Sequence, residues 1–258
     1  MPSPAPQSGA LPVLMLATGM LSDEAVWGPQ IEAFSGAWDV RVARYGQART
    51  LADMAQALLD QAPRRFALAG HSLGGRVAME AARMAPERLT GLCLISADTL
   101  AKPTGETGEA ETRGRYGLLS LGRDQGMAAV AERFLPAILH ADSLADAALA
   151  GPVKAMVARQ QADALERQIE AGEGRPDHAA VLRKLDVPAL LICGEQDGFG
   201  RGPLQAAMAA LLPGAPVLLL DRCGHLPTLE APEAVNQAMS DWLARTRSSA
   251  LRPQPSIC

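Results

Sequence analysis

The feature that most restricts the fold of this chain is a regular alternation of short apolar runs with amphipathic helical patterns. Six apolar runs are candidate strands: residues 11–17, 38–43, 66–69, 89–95, 188–193 and 216–220. Four segments between or after them place apolar residues three and four positions apart, as helices do: 50–62, 75–85, 203–212 and 232–245. Strands that alternate with helices form parallel sheets covered on both faces. The sequence therefore predicts an α/β fold with about six mainly parallel strands, in which the run 38–43 lies at or near a sheet edge.

The alternation stops over a stretch of roughly 85 residues, from 100 to 184. This stretch opens with a polar, glycine-containing segment, 102–114, which predicts a mobile loop, and continues with helical patterns around 125–140 and 144–171. A helical block between two strands of an otherwise regular chain indicates an inserted cap. We predict a discontinuous core domain, 1–99 and 185–258, and a helical cap segment, 100–184, with a loose tail over residues 247–258.

Composition excludes several classes of protein. The chain has 258 residues, of which 48% are hydrophobic and 20% charged, so it is neither disordered nor collagen-like. A net charge of −4 without basic runs argues against a nucleic-acid partner. The chain has no apolar run long enough to span a membrane and no basic residues in its first ten, so we expect a cytoplasmic protein without a membrane partner. The oligomeric state is not indicated.

The four cysteines have no spacing typical of a zinc site or a disulfide framework. Cys93 and Cys193 lie inside apolar runs, so we expect them to be buried free thiols.

A candidate nucleophile lies in the segment Gly70-His71-Ser72-Leu73-Gly74, between an apolar run and a helical pattern. This G-x-S-x-G pattern is typical of a sharp strand-to-helix turn, whose glycines let the chain segments approach closely while the serine projects from the sheet edge. A phosphate-binding turn would need further glycines in register or a Lys-Ser/Thr pair, and neither is present. Ser72 is therefore the predicted nucleophile.

With this motif, the chain resembles the α/β-hydrolase family, specifically its capped, esterase-like branch, over about residues 11–245. The resemblance implies a serine, acid, histidine order along the chain. His225, followed by Glu230-Ala231-Pro232, is similar to the family's C-terminal signature and is the expected general base. His140 and His178 are expected at the surface or within helices.

The same resemblance places the acid after a strand. Asp197 follows the run 188–193, at the position that the family uses most, whereas Asp98 follows the run 89–95, which some branches use instead. We favour Asp197 and expect Glu195 to be a solvated turn residue.

Acyl transfer also needs two N–H donors for the developing oxyanion. The resemblance implies the amides of Leu73 and Met20. Many relatives have His-Gly just before the second donor, whereas this chain has Thr18-Gly19, which alters the hydrogen bonding that can hold the loop. We expect Thr18, Gly19, His71 and Phe134 to contribute to substrate binding.

The resemblance implies a serine hydrolase that cleaves carboxylic esters through an acyl-enzyme, with a small-molecule ester and water as partners and no metal or organic cofactor. We expect small to medium apolar substrates. A lactonase, thioesterase or carbon–carbon bond hydrolase would use the same residues, and a ligand receptor or scaffold on the same fold is the non-enzymatic alternative. In the cap segment, Arg113, Arg115 and Arg159 either meet a substrate carboxylate or form solvated faces. Apolar residues there either line a pocket or form helix cores: Tyr116, Leu118, Leu119, Phe134, Leu135 and Met156.

Overall fold

Six strands form a single parallel sheet in a computed structural model that describes residues 10–199 and 202–250. The strands are β1 (Val13–Ala17), β2 (Asp39–Val42), β3 (Phe66–His71), β4 (Leu89–Ile95), β5 (Ala189–Gly194) and β6 (Val217–Leu220). Their spatial order is β2-β1-β3-β4-β5-β6, and every neighbouring pair is parallel. The predicted fold class is confirmed, and β2 lies at a sheet edge as predicted.

Helices connect the strands and cover the sheet. They are α1 (Gly28–Phe34), α2 (Leu51–Gln61), α3 (Leu73–Met84), α4 (Gly105–Gln125), α5 (Met127–Ile138), α6 (Ala141–Ala145), α7 (Ala147–Ala158), α8 (Ala162–Glu173), α9 (Ala179–Arg183), α10 (Gly202–Leu211), α11 (Pro227–Glu230) and α12 (Pro232–Ala250). Short 3₁₀ turns precede α1 and β4.

Two apolar cores lie on opposite faces of the sheet because successive strand residues point to opposite sides. Leu14 and Leu16 of β1 belong to a core shared with α1, α12 and the cap segment, whereas Met15 packs with α2 and α3 on the other face. Both layers are largely aliphatic. The sheet is therefore buried on both faces, which is why its strands are continuous apolar runs in the sequence.

The beginning of the cap segment differs from the prediction. A loop is predicted over residues 102–114, but α4 begins at Gly105 and continues for 21 residues. Ion pairs one turn apart favour the helix, such as Arg115 Nη2 to Glu111 Oε1 at 2.6 Å. Tertiary packing adds to this, because Leu119 is buried in the core beneath the cap segment.

The second helical pattern, 144–171, is divided among α6, α7 and α8. At the other end of the chain, α12 runs to Ala250, so the tail does not begin at residue 247. The rest of the predicted tail, 251–258, and the first nine residues lie outside the described residues. No described helix combines the length and the apolar character that crossing a bilayer would require. The division of the chain into a core domain and a cap domain stays a prediction.

Candidate active site

Ser72 occupies the turn between β3 and α3 with φ 55° and ψ −120°, a backbone conformation that non-glycine residues rarely adopt. Glycines on either side make this turn possible. A Cβ atom on Gly70 would lie 2.4 Å from the Gly74 carbonyl oxygen, and one on Gly74 would lie 2.2 Å from that of Ala17. The Ser72 amide donates to the Ile95 carbonyl of β4 at 2.9 Å, which anchors the strained turn to the sheet.

The three predicted catalytic side chains lie in one hydrogen-bonded row. Ser72 Oγ is 2.8 Å from His225 Nε2, and His225 Nδ1 is 2.9 Å from each carboxylate oxygen of Asp197. Asp197 follows β5 and His225 follows the adjacent β6, so neighbouring strands bring the two side chains together. With Nδ1–H donated to Asp197, Nε2 is left to accept a proton from the serine hydroxyl.

The row is electrostatically suited to holding a negative charge at Asp197. Burial opposes ionisation of this carboxyl, but the charge and hydrogen bonding of His225 and the Phe199 amide outweigh it and lower the pKa of Asp197 to about 2. The Phe199 amide donates to Asp197 Oδ1 at 2.8 Å. Asp197 therefore stays ionised across the whole neutral range.

The alternative acid, Asp98, is engaged elsewhere. Its carboxylate lies 2.7 Å from Arg76 Nη2. It follows β4, which is separated by β5 from the strand that precedes His225. Glu195 is exposed in a turn, as expected.

One histidine of the cap segment differs from expectation. His178 is fully buried rather than at the surface, although it does adjoin α9, and its Nε2 lies 3.0 Å from Glu80 Oε2 of α3.

The loop after β1 is held next to Ser72, although it lacks the His-Gly pair. A Cβ atom on Gly19 would lie 3.0 Å from the Ser72 Cβ, so this glycine lets the loop approach closely. Tyr45 donates to the Thr18 carbonyl at 3.3 Å, and the Leu21 amide donates to Gln168 Oε1 of α8 at 3.0 Å. Within the described residues, the amides of Met20 and Leu73 have no protein acceptor.

The loop that carries His225 is also fixed from several sides. The His225 amide donates to the Ile138 carbonyl of α5 at 2.7 Å. The amides on either side, of Gly224 and Leu226, both donate to Glu230 Oε1 at 3.1 Å. The His71 ring reaches the same loop, with Nε2 donating to the His225 carbonyl at 2.7 Å. The imidazole of His225 is therefore held by its backbone as well as by Asp197.

A cavity of about 1200 Å³ opens above Ser72 and His225, between the sheet edge and the cap segment. Predicted residues that line it are Met20, His71, Leu73, Leu118, Phe134 and Met156. Among the other apolar residues proposed for a pocket, Leu119 and Leu135 are buried in the core and Tyr116 is 40% exposed. Thr18 and Gly19 are not among the residues that line this cavity, and their contribution to substrate binding stays a prediction.

Three residues of the site were missed by sequence reasoning. Phe199 places its ring edge-on to that of His225, with centroids 5.0 Å apart. Its position two residues after Asp197 is a local signal, because an aspartate often accepts a hydrogen bond from the amide two residues on. Glu230 is identified from the sequence only as part of the C-terminal signature, and Gln168 has no local signal at all.

Cysteines and metal ligands add little to this site. Cys93 and Cys193 are buried and are not joined in a disulfide, as predicted. Burial, reinforced by the neighbouring Asp197, raises the pKa of the Cys193 thiol to about 12, which keeps it protonated. Within residues 10–199 and 202–250, no three histidine, cysteine or acidic side chains are grouped so that they could hold a metal ion.

Known proteins resemble this chain over most of its length. Pimeloyl-[acyl-carrier protein] methyl ester esterase of Nitrosomonas europaea is 25% identical over 88% of this chain and 93% of its own. A 2-hydroxy-6-oxononadienedioate/2-hydroxy-6-oxononatrienedioate hydrolase of a Pseudomonas species is 27% identical over 70% of this chain and 64% of its own. The structure of a thermophilic esterase from Thermogutta terrifontis superposes with a TM-score of 0.79 at 24% identity, covering 92% of this chain and 90% of that one.

A family model also matches most of the chain. It is described as the alpha/beta hydrolase family, and the match runs from residue 15 to residue 238, which takes in most of β1, all of β2 to β6 and the three residues of the hydrogen-bonded row. The chain belongs to the alpha/beta hydrolase family.

Proposed function

We propose that this protein is a serine hydrolase that cleaves carboxylic esters through an acyl-enzyme formed on Ser72. The observation that carries the proposal is the unbroken row from Ser72 Oγ through His225 to Asp197, which opens into a cavity of about 1200 Å³. A purely structural role would not need a strained serine beside a hydrogen-bonded histidine. The esterase relatives support the same chemistry.

In the first half of the reaction, Ser72 Oγ forms a bond to the ester carbonyl carbon while its proton passes to His225 Nε2. The carbonyl oxygen becomes negative and accepts hydrogen bonds from the Met20 and Leu73 amides, which have no competing protein acceptor among the described residues. The bond to the alcohol oxygen then breaks, and His225 Nε2 gives its proton to the leaving alcohol.

In the second half, water attacks the acyl carbon and passes a proton to His225. The acyl bond to Ser72 breaks, and the proton returns to Oγ, so that the acid leaves and the enzyme is regenerated. Asp197 remains ionised throughout, because its role is to hold the imidazole and stabilise its cation. No step calls for a metal or an organic cofactor.

The enzyme and the receptor alternatives are separated by one labelling experiment. A fluorophosphonate probe should modify Ser72 in the folded wild-type protein, with the site located by mass spectrometry, and Asp197→Asn should slow the labelling. Turnover of 4-nitrophenyl butyrate should fall by at least about 10³-fold in Ser72→Ala. Folded wild-type protein that resists labelling would favour a receptor or scaffold.

A second reaction type is worth testing because one relative is named as a hydrolase of an unsaturated oxo acid. The same three residues could process a carbon–carbon bond next to a carbonyl, a lactone or a thioester. A panel of short and medium acyl esters, a lactone, an acyl thioester and a vinylogous diketone separates these reactions by kcat/KM. We expect the esters to give the highest values.

A further inference from the structure

Five arginines of the described chain line the cavity above Ser72, although the whole chain has a formal charge of −4. They are Arg76, Arg113, Arg115, Arg133 and Arg175. Among the described residues, only two acidic ones, Asp98 and Glu111, line the same cavity, so its wall has a formal charge of +3 when its histidines are neutral. A cleft in which charges of one sign are in excess attracts ligands of the opposite charge. This cavity is therefore suited to an anion.

Arg76 belongs to the first turn of α3, which begins directly after Ser72, and both residues line the cavity. The Arg76 amide donates to the Ser72 carbonyl at 3.3 Å. Its guanidinium is held in place by Asp98 at 2.7 Å and by the Leu100 carbonyl at 2.8 Å, and its side chain is only 12% exposed. These contacts use part of the five N–H donors of the guanidinium, so others are left for a ligand.

Arg115 and Arg175, both in the cap segment, form a basic cluster with Arg76 in the cavity wall. Both guanidiniums contact one carboxylate, that of Glu111, at 2.6 Å and 2.7 Å. Arg175 is 5% exposed in its side chain, and its buried Nε has no acceptor among the described residues. Arg115 Nη1 is also buried without a hydrogen bond to the described part of the chain. It lies 3.8 Å from Glu173 Oε1, and the other oxygen of that carboxylate binds Lys102. The two guanidiniums thus share the carboxylate of Glu111, and the second carboxylate near Arg115, that of Glu173, is itself shared with Lys102.

The crowding of these groups has an electrostatic consequence. Burial lowers the pKa of Arg76 and of Arg115 below the usual range, and repulsion from Arg175 lowers both further. An anion placed among them would offset that repulsion. By contrast, Arg159 pairs with Asp23 at 2.7 Å and does not line the cavity. It differs in this from Arg113 and Arg115, the other two arginines that the sequence analysis names.

We propose that the substrate of this site is an ester that also bears a free carboxylate, bound by Arg76, Arg115 and Arg175 while the ester carbonyl lies at Ser72. The remaining wall is largely apolar, with Leu118, Leu121 and Phe134, and would contact the hydrocarbon chain between the two groups. Planar guanidiniums bind carboxylates through paired hydrogen bonds, which lysines cannot match. This inference rests on the proposed esterase function.

Two matched substrates test it. Mono-4-nitrophenyl adipate and 4-nitrophenyl hexanoate have six-carbon acyl chains and differ at the far end, where one carries a carboxylate and the other a methyl group. We expect kcat/KM of the wild-type enzyme to be about 10- to 100-fold higher for the adipate, as expected for charge-assisted hydrogen bonds. Raising the NaCl concentration to about 0.5 M should reduce this preference, because salt screens the attraction.

Variants test whether the basic cluster causes the preference for the adipate ester. Arg115→Gln and Arg175→Gln should each bring the ratio of the two kcat/KM values close to one, whereas Arg159→Gln should keep the wild-type ratio. Should the cluster variants fail to fold, the wild-type ratio and its salt dependence decide the question.

Equal kcat/KM values for the two esters, with Ser72 labelled, would overturn the carboxylate inference and leave the esterase proposal intact. If neither ester is hydrolysed and Ser72 is not labelled, the esterase proposal fails, and binding then tests the cavity directly. In that case calorimetry on Ser72→Ala with monomethyl adipate and methyl hexanoate would still reveal a preference for the anion. Indistinguishable dissociation constants would reject the anion site.

Discussion

Glu230 accepts a hydrogen bond from the backbone amide of His140 at 2.8 Å, through the carboxylate oxygen that does not face the His225 loop. Its other oxygen binds the amides of Gly224 and Leu226. One carboxylate therefore joins the loop that carries His225 to the end of α5, and His225 itself donates to the Ile138 carbonyl beside it. The position of the His225 imidazole is thus coupled to the position of the cap segment.

The first prediction concerns this carboxylate. Glu230→Ala leaves three amides without their acceptor, and we expect kcat for 4-nitrophenyl butyrate to fall about 100-fold while KM changes less than about threefold, since hydrogen bonds to charged groups contribute about 1.5–3 kcal/mol each. Glu230→Gln keeps one acceptor oxygen and should recover part of kcat. The exposed Glu233→Gln in α12 is the matched control and should match wild type. Wild-type kcat in folded Glu230→Ala would contradict a positioning role.

The second prediction concerns the loop that supplies the Met20 amide. Gln168 Oε1 is the acceptor of the adjacent Leu21 amide, so Gln168→Ala should loosen the loop and lower kcat about tenfold, with a smaller effect on KM. Gln168→Glu retains the acceptor and should remain within about threefold of wild type. Steady-state kinetics of wild type, Gln168→Ala and Gln168→Glu test this prediction. If Gln168→Ala and Gln168→Glu lowered kcat equally, the hydrogen bond from the Leu21 amide to this oxygen would not be what supports kcat.

The third prediction links stability to pH through His71. Burial, together with repulsion from His225, lowers the pKa of His71 to about 3 from an ordinary value of 6.5, so the folded protein disfavours the protonated ring. Between these two values the unfolded chain binds a proton that the native state does not. The free energy of unfolding therefore decreases as pH falls, with a contribution from this residue of about 1.4 kcal/mol per pH unit between about pH 6 and pH 4.

Urea unfolding at several pH values measures this contribution. His71→Gln can still donate to the His225 carbonyl but does not titrate, so its stability should decline less steeply as the pH is lowered through the same range. Parallel pH profiles for wild type and His71→Gln would show that the ring is not buried in its neutral form.

The fourth prediction tests the close approach of the turn at Ser72 to β1. In Gly74→Ala, the new Cβ would lie 2.2 Å from the Ala17 carbonyl oxygen, against rigid backbone. We expect a loss of about 3 kcal/mol in stability and of most esterase activity, because overpacking forces backbone shifts. Gly36→Ala is the control, since no described atom lies within 4 Å of the position that its Cβ would take, and a change below about 0.5 kcal/mol is expected. Equal melting temperatures of Gly74→Ala and Gly36→Ala in thermal unfolding would contradict the prediction.

The sequence indicated the sheet well because strands buried on both faces must be apolar throughout, and the run 89–95 coincides with β4. It failed at α4, where glycines and charges are typical of a loop. There the helix is favoured by ion pairs along its own surface and by burial of Leu119, and tertiary burial is not visible in a local pattern.

The site shows the same division between local and distant information. The strand-to-helix turn at Ser72 has a local sequence motif, so the residues predicted around it lie close together in the structure. Asp98 and Asp197 both follow strands, and only the order β4-β5-β6 shows which of them is adjacent to the His225 loop. The contact of Gln168 with Leu21 joins residues 147 positions apart, so no local pattern could reveal it.

The parallel sheet has a consequence for how folding of this protein can be followed. Ser72, Asp197 and His225 follow three different strands, and the segment between the first two contains the entire cap segment. Helices can form early from nearby residues, so circular dichroism can recover before these side chains meet. Regained hydrolysis, in contrast, requires β3, β5 and β6 to be in register at once. The rate at which activity returns after dilution from denaturant would therefore report how fast the complete sheet forms.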